Sequence, residues 1–260
     1  MLRGVASATA PNMVYYPAYA TVGENTLYIQ GGANVANPSL KYNQFFSLDL
    51  SRSWNTSNPP WAEVTVTGIP ARLKAAFHSM SLSKDSKTLT IWDMYSSPPY
   101  SVNYHLDTKK WETLPVPSIQ QPFVSNICKA ATDPTTDRVY IPGGSDTSMI
   151  AYDPSSKASS TIPMPSGGTS LTWSKYTFAW NDVRQSFFYF GGYESPANSY
   201  FYEYAPAAAT WTAMASSGSV PPIVSDCCMV SAYNGAKMIV FGGMSIMGRF
   251  WSVCSITFDP

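Results

Sequence analysis

An all-β fold assembled from repeated units of about 50 residues is predicted by three observations: an aromatic-rich, charge-poor composition, turn residues spread along the whole chain, and a short β-rich run that recurs. The 260 residues include 17 Tyr, 12 Phe and 8 Trp, while charged residues are only 12%. The 21 Pro and 16 Gly are distributed rather than clustered, which marks frequent turns and not a low-complexity tract. Such a composition suits short strands with side chains packed on both faces.

The recurring run ends in a glycine pair. It reads Leu27-Tyr28-Ile29-Gln30-Gly31-Gly32, then Val139-Tyr140-Ile141-Pro142-Gly143-Gly144, then Phe188-Tyr189-Phe190-Gly191-Gly192, then Ile239-Val240-Phe241-Gly242-Gly243. The second glycines are 112, 48 and 51 residues apart, so the first gap holds two periods. A degenerate copy, Leu89-Thr90-Ile91-Trp92-Asp93-Met94, lies in its middle with both glycines replaced. Five units result.

Within each unit a tight turn precedes the glycine pair and splits the run into two strands. The turns are Val22-Gly23-Glu24-Asn25, Lys84-Asp85-Ser86-Lys87, Asp133-Pro134-Thr135-Thr136, Asn181-Asp182-Val183-Arg184 and Asn234-Gly235. The last is the strongest hairpin signal, because both central positions require positive φ. A variable loop follows the pair, then a third strand ending in Asp at Asp49, Asp107, Asp153 and Asp259, with Ala205 in the fourth unit. Trp54, Trp111 and Trp211 then open the route to a fourth strand.

This anatomy resembles the kelch repeat, a four-stranded propeller blade with a glycine pair after its second strand and a tryptophan before its fourth. The resemblance covers about residues 13–260 and looks most like kelch propellers of fungal proteins, within the galactose oxidase/kelch-like superfamily. It implies an all-β kelch-type β-propeller of about five blades, at 13–70, 71–121, 122–168, 169–221 and 222–260. The residues 1–12 form an N-terminal segment, either disordered or an outer strand. The physical logic agrees: the glycines Gly31, Gly32, Gly143, Gly144, Gly191, Gly192, Gly242 and Gly243 permit close approach of blades. The tryptophans Trp54, Trp111 and Trp211 supply bulk for packing between them.

Kelch propellers usually carry six or seven blades, and the fifth unit here stops at Asp259-Pro260, after its third strand. The expectation is an open or truncated ring whose terminal blade exposes a face. Self-association in size-exclusion chromatography would follow.

Chemistry is sparse. Of the two histidines, His78 sits in Arg72-Leu73-Lys74-Ala75-Ala76-Phe77-His78-Ser79, where kelch repeats often carry Arg and His, and reads as a structural residue; His105 reads as a surface residue. There is no G-x-S-x-G, Walker A sequence, G-x-G-x-x-G or H-E-x-x-H. Galactose oxidase implies two His and two Tyr copper ligands, and no such set matches, so no cofactor, metal or catalytic residue is expected. The acids Asp93, Asp146, Glu194 and Asp226 come from different units and define the enzymatic alternative, a carbohydrate-active or galactose-oxidase-like extracellular enzyme. The four cysteines Cys128, Cys227, Cys228 and Cys254 lack zinc spacing and read as small buried residues, with a Cys254 disulfide to Cys227 or Cys228 open.

What remains is binding by loops. The segments 34–42, 95–100, 145–147, 193–198 and 245–249 carry Tyr42, Tyr95, Tyr100, Tyr193, Glu194 and Arg249, residue types of which several are enriched in interface hot spots. A non-enzymatic scaffold binding a protein partner, with a glycan second, is therefore expected. Sixteen basic and sixteen acidic residues offer no field for nucleic acid or anionic membrane. Lys237 to Phe258, the most membrane-like stretch, is broken by Gly242, Gly243, Gly248 and Arg249 and fits the repeat instead. The Met1–Ala8 start lacks a signal-peptide core, whereas Asn55-Thr56-Ser57 is an N-glycosylation sequon. The compartment stays open between a secreted or cell-surface parent and the cytoplasm.

Overall fold

Four antiparallel four-stranded sheets and one of three strands follow one another along the chain, each a simple meander of the propeller-blade type. The structure, a computed structural model, describes residues 10–55, 57–64, 68–93, 100–115, 129–145, 148–165, 176–191, 201–214, 227–245, 248–249 and 253–257. The all-β expectation holds, since the described helical structure is one 3-10 turn, Ala71–Leu73. Among the described residues no helix is long and apolar enough to cross a membrane. The chain divides into two compact units, Met1–Leu114 and Pro115–Pro260.

The first unit begins with β1 (Val14–Tyr15), which pairs with β4 (Ala33–Asn34). Its first blade is β2 (Ala18–Val22), β3 (Thr26–Gln30), β5 (Phe45–Asp49) and β6 (Trp61–Glu63). The second is β7 (Ser79–Leu82), β8 (Thr88–Asp93), β9 (Tyr100–His105) and β10 (Lys110–Thr113). Alternate side chains of facing strands bury Ala18 and Phe45 with Met80, Leu89, Ile91, Val102 and Tyr104 in one core.

The second unit holds β11 (Ala131–Thr132), β12 (Val139–Ser145), β13 (Ser148–Asp153) and β14 (Ala158–Pro163). The next blade is β15 (Tyr176–Asn181), β16 (Ser186–Gly191), β17 (Phe201–Ala205) and β18 (Thr210–Ala213). The last contains β19 (Cys228–Ala232), β20 (Lys237–Phe241) and β23 (Val253–Thr257), and a ribbon of β21 (Met244–Ser245) and β22 (Gly248–Arg249) lies between β20 and β23 in sequence. Strand β16 is buried on both faces. Phe187 and Tyr189 enter the core with Tyr140 and Met149 of the preceding blade, and Phe188 and Phe190 enter the core with Met229, Met238 and Val240 of the following one. The opposite face of the last blade leaves Val230 and Phe241 more than half exposed.

The recurring motifs acquire physical roles. Asp49 and Asp153 end third strands and cap the turn that follows, each accepting from the backbone N–H and hydroxyl of Ser51 and Ser155 at 2.6–2.9 Å. Those hydrogen bonds hold both carboxyls below the usual range. Trp111 pairs with Tyr104 and Trp211 with Tyr204 across the third and fourth strands. The equivalent partner of Leu48 is Trp61, not Trp54. Trp54 lies outside the strands and is a third exposed, because a longer turn separates β5 from β6 and delays the repeat tryptophan. Where the glycine pair is replaced, β8 runs on through Asp93, whereas β3 ends at Gln30 and the chain turns through left-handed Gly31 and Gly32.

Strand β20 lies between β19 and β23, with Val240 opposite both Met229 and Cys254. Two strand spacings of about 4.8 Å separate Cys254 from β19, too far for a disulfide to Cys228, whose Cα must come within about 7 Å. Cys128 lies outside the described residues.

In the fourth blade the turn after β15 is clamped from its own sheet. Arg184 donates from Nε and Nη2 to the two Glu203 oxygens at 2.8 and 2.7 Å, and Ser186 donates to Oε1 at 2.7 Å. Burial opposes ionisation of Glu203, but these donors prevail and its carboxyl titrates below the usual range. A lysine cannot reproduce the two-pronged contact. Arg184→Lys is expected to cost about 1 kcal/mol, read as a lower midpoint in urea; an unchanged midpoint would show that the clamp carries no stability.

Candidate functional site

The first unit gathers its polar and aromatic residues at one end, where β3 and β8 finish and β2 and β7 begin. Gly31 and Gly32 allow this. At φ +70° and +102° they turn the chain out of β3, and their bareness admits close neighbours. A Cβ on Gly31 would lie 2.6 Å from both the Ala75 carbonyl and the His78 ring, and one on Gly32 would meet Val14 at 2.7 Å.

The loop that follows is closed on itself. Asn34 accepts the N–H groups of Ala36 and Asn37 at Oδ1 and donates from Nδ2 to the Tyr42 hydroxyl at 2.8 Å. The Tyr42 N–H returns to the Gly32 carbonyl at 2.9 Å, and the Asn34 N–H reaches Leu40 at 2.8 Å. Tyr42 is thus half-buried and positioned, while Val35 and Leu40 stay exposed at the loop tip.

Beside the loop sits an aromatic group. Tyr15 meets Tyr16 edge-on at 5.0 Å, and Tyr16 stacks on Phe77 at 4.6 Å between centroids. Tyr16 and Phe77 occupy the same place in successive repeats, two residues ahead of β2 and β7, and the Phe77 N–H donates to the Tyr16 carbonyl at 3.1 Å. Both have left-handed backbone, at φ +54° and +66°. That costs about 1–2 kcal/mol for a residue with a side chain, so the surroundings must impose it.

Behind this surface lies a buried polar network. Gln30 donates from Nε2 to the Leu73 carbonyl at 2.9 Å, which turns its Oε1 towards His78. That oxygen can only accept, so the His78 bond to it assigns the imidazole proton to Nε2. Among the described residues the His78 Nδ1 has no hydrogen-bond partner. Burial pushes the imidazole down to about 4, against an opposing pull from Asp93. Asp93 falls opposite His78 because Ser79 pairs with Trp92 one step along.

The sequence candidates separate. Tyr42 joins the site. Tyr100 instead opens β9 as a buried residue with the Arg72 guanidinium 4.8 Å above its ring, so its role in this structure is packing. Asp93 is buried, and Asp146, Glu194, Asp226, Tyr95 and Tyr193 lie outside the described residues, as does Gly192. Arg249 is placed by backbone only, opposite Met244. His105 is part-exposed on β9 and meets Glu112 at 3.3 Å. Asn55 stands on an exposed turn, its Oδ1 accepting from the N–H and hydroxyl of Ser57. Tyr15, Tyr16, Phe77 and Gln30 were not singled out from sequence; their one signal was an aromatic residue two places before the first strand of both blades.

Among the described residues no group of three or more His, Cys, Asp or Glu comes together to hold a metal ion. The geometry defines an all-β, propeller-type repeat protein with an ordered aromatic loop surface in its first unit. No protein-family model matches the chain, and no curated protein matches it.

Proposed function

We propose that the chain is a non-enzymatic, kelch-type scaffold that presents the loop end of its first unit to a protein partner, with a glycan as the second ligand class. The observation that carries this reading is the Tyr16–Phe77 stack. Two bulky rings are held in a costly backbone conformation, partly buried, beside a hydrogen-bonded loop that displays Val35 and Leu40. Ordered aromatics lose little freedom on binding, which is how a few residues come to dominate an interface. The kelch reading rests on the repeat itself, with its glycine pairs, capping aspartates and tryptophans in register. The groups most apt for acid–base chemistry here, His78 and Glu203, are engaged in structural bonds.

Phe77→Gly is the informative change, because glycine relieves the left-handed strain while deleting the ring. The expected outcome is a folded chain whose captured partner dissociates at least tenfold more readily, a loss of about 1.4 kcal/mol or more. Tyr42→Ala should act in the same direction. A partner indifferent to both variants would move the site elsewhere. Turnover of glycosides or primary alcohols by copper-loaded protein would overturn the scaffold reading in favour of the carbohydrate-active or galactose-oxidase-like alternative.

A further inference from the structure

The loop surface is tied to a single buried imidazole. His78 donates to Gln30, Gln30 donates to the Leu73 carbonyl at 2.9 Å, and the Gly31 backbone presses against the His78 ring. Around it the Gly31 N–H reaches Gln44 at 2.8 Å, the Gln44 side chain returns to the Gly31 carbonyl at 3.1 Å, and the Gly32 N–H reaches Ala75 at 2.8 Å. These bonds join the 31–44 loop to the segment 70–78 that leads into the second blade. A second proton on His78 must go to Nδ1, which has no partner among the described residues.

We propose that His78 is an acid-sensitive latch, whose protonation releases the 31–42 loop and the 70–77 segment while the strands of both blades remain paired. The charged groups facing it from the packed elements are Asp93 on β8, which favours the cation, and Lys41 in the loop, which opposes it. Arg72 of the 3-10 turn lies over the Tyr100 ring. Gln30 and Gln44 are neutral. Burial outweighs Asp93 and the Ala76 and Gln30 backbone groups, which also favour the cation, so the closed form takes up its proton only near pH 4, against 6.5 for an exposed imidazole. The sign follows: above pH 6.5 the latch has its full strength, and it weakens as pH falls through 6.5 towards 4. The opening equilibrium can rise by at most roughly 300-fold over that window. Only the consequence for ligand binding rests on the scaffold reading above.

The test is amide hydrogen exchange of the full chain from pH 7.5 to 4.5, corrected for intrinsic rates. Protection of Gly32 and Tyr42 should fall on the order of 50- to 100-fold, with the Phe188 and Tyr204 amides of the fourth blade unaffected. His78→Gln should abolish the pH dependence; should that variant not fold, the native His78 ring must titrate by NMR near 4, well below 6.5, because that gap sets the size of the loop's opening. Protection of Gly32 and Tyr42 that stays unchanged between pH 7.5 and 4.5 would overturn the latch, and so would loss of protection throughout the chain at once. Ligand capture plays no part in this readout, so failure of the latch and failure of the scaffold reading are separable.

Discussion

Gly31→Ala is expected to destabilise the first unit by roughly 2–5 kcal/mol, of which about 1–2 comes from the left-handed backbone and about 1–3 from overpacking. The position has φ +70°, and the added methyl would meet the Ala75 carbonyl and the His78 ring at 2.6 Å. Neither neighbour can retreat easily. The carbonyl accepts the Gly32 N–H, and the ring is buried and bonded to Gln30. Gly23 isolates the steric part, since its φ of +60° is similar and nothing lies within 4 Å of its Cβ position. Gly23→Ala should therefore show the backbone cost alone. The two variants are compared by urea unfolding, with amide exchange of Gly32 reporting the local loss. Equal destabilisation would mean that the close approach at Gly31 is not maintained in solution.

Phe187→Ala should cost about 3–5 kcal/mol, the range for deleting a buried aromatic side chain. Its ring is fully buried, stacked on Phe178 at 4.8 Å and 12°, edge-on to Trp180 at 4.8 Å, and tilted against Tyr140 of the preceding blade at 4.9 Å. The cavity would open between two sheets, each held in place by its own ladder, so collapse can fill little of it. Val230→Ala is the matched control in the same unit. That side chain is 53% exposed, so a change within about 0.5 kcal/mol is expected. Calorimetry decides between them. A loss below about 1 kcal/mol for Phe187→Ala would contradict the tight aromatic packing between these blades.

Much of the architecture is legible without coordinates because it is written in local chemistry. A left-handed turn wants glycine, a tight turn after a third strand wants an aspartate side chain to cap it, and a strand buried on both faces reads as a continuous apolar run such as Phe187 to Phe190. These rules located the blade strands and their turns. They failed where register, not residue type, decides. Trp54 and Trp61 are equally good tryptophans, and only cross-strand pairing with Leu48 selects the second. Tyr42 and Tyr100 look alike in sequence, yet one stands on a hydrogen-bonded loop and the other lies beneath Arg72. Adjacent cysteines invite a disulfide with Cys254 until β20 is seen between them.

The amino-acid sequence by itself determined the all-β class, the period of the repeat and the positions of its turns, because each follows from backbone preferences within a few residues. Only the tertiary structure decided what the repeat carries: that Gln30, His78 and Asp93, up to 63 residues apart, share one buried site, and that Tyr16 and Phe77 stack. Those contacts join different blades. No local propensity encodes them, since they arise when two sheets must bury their apolar faces against each other and the ends of their strands are carried into contact.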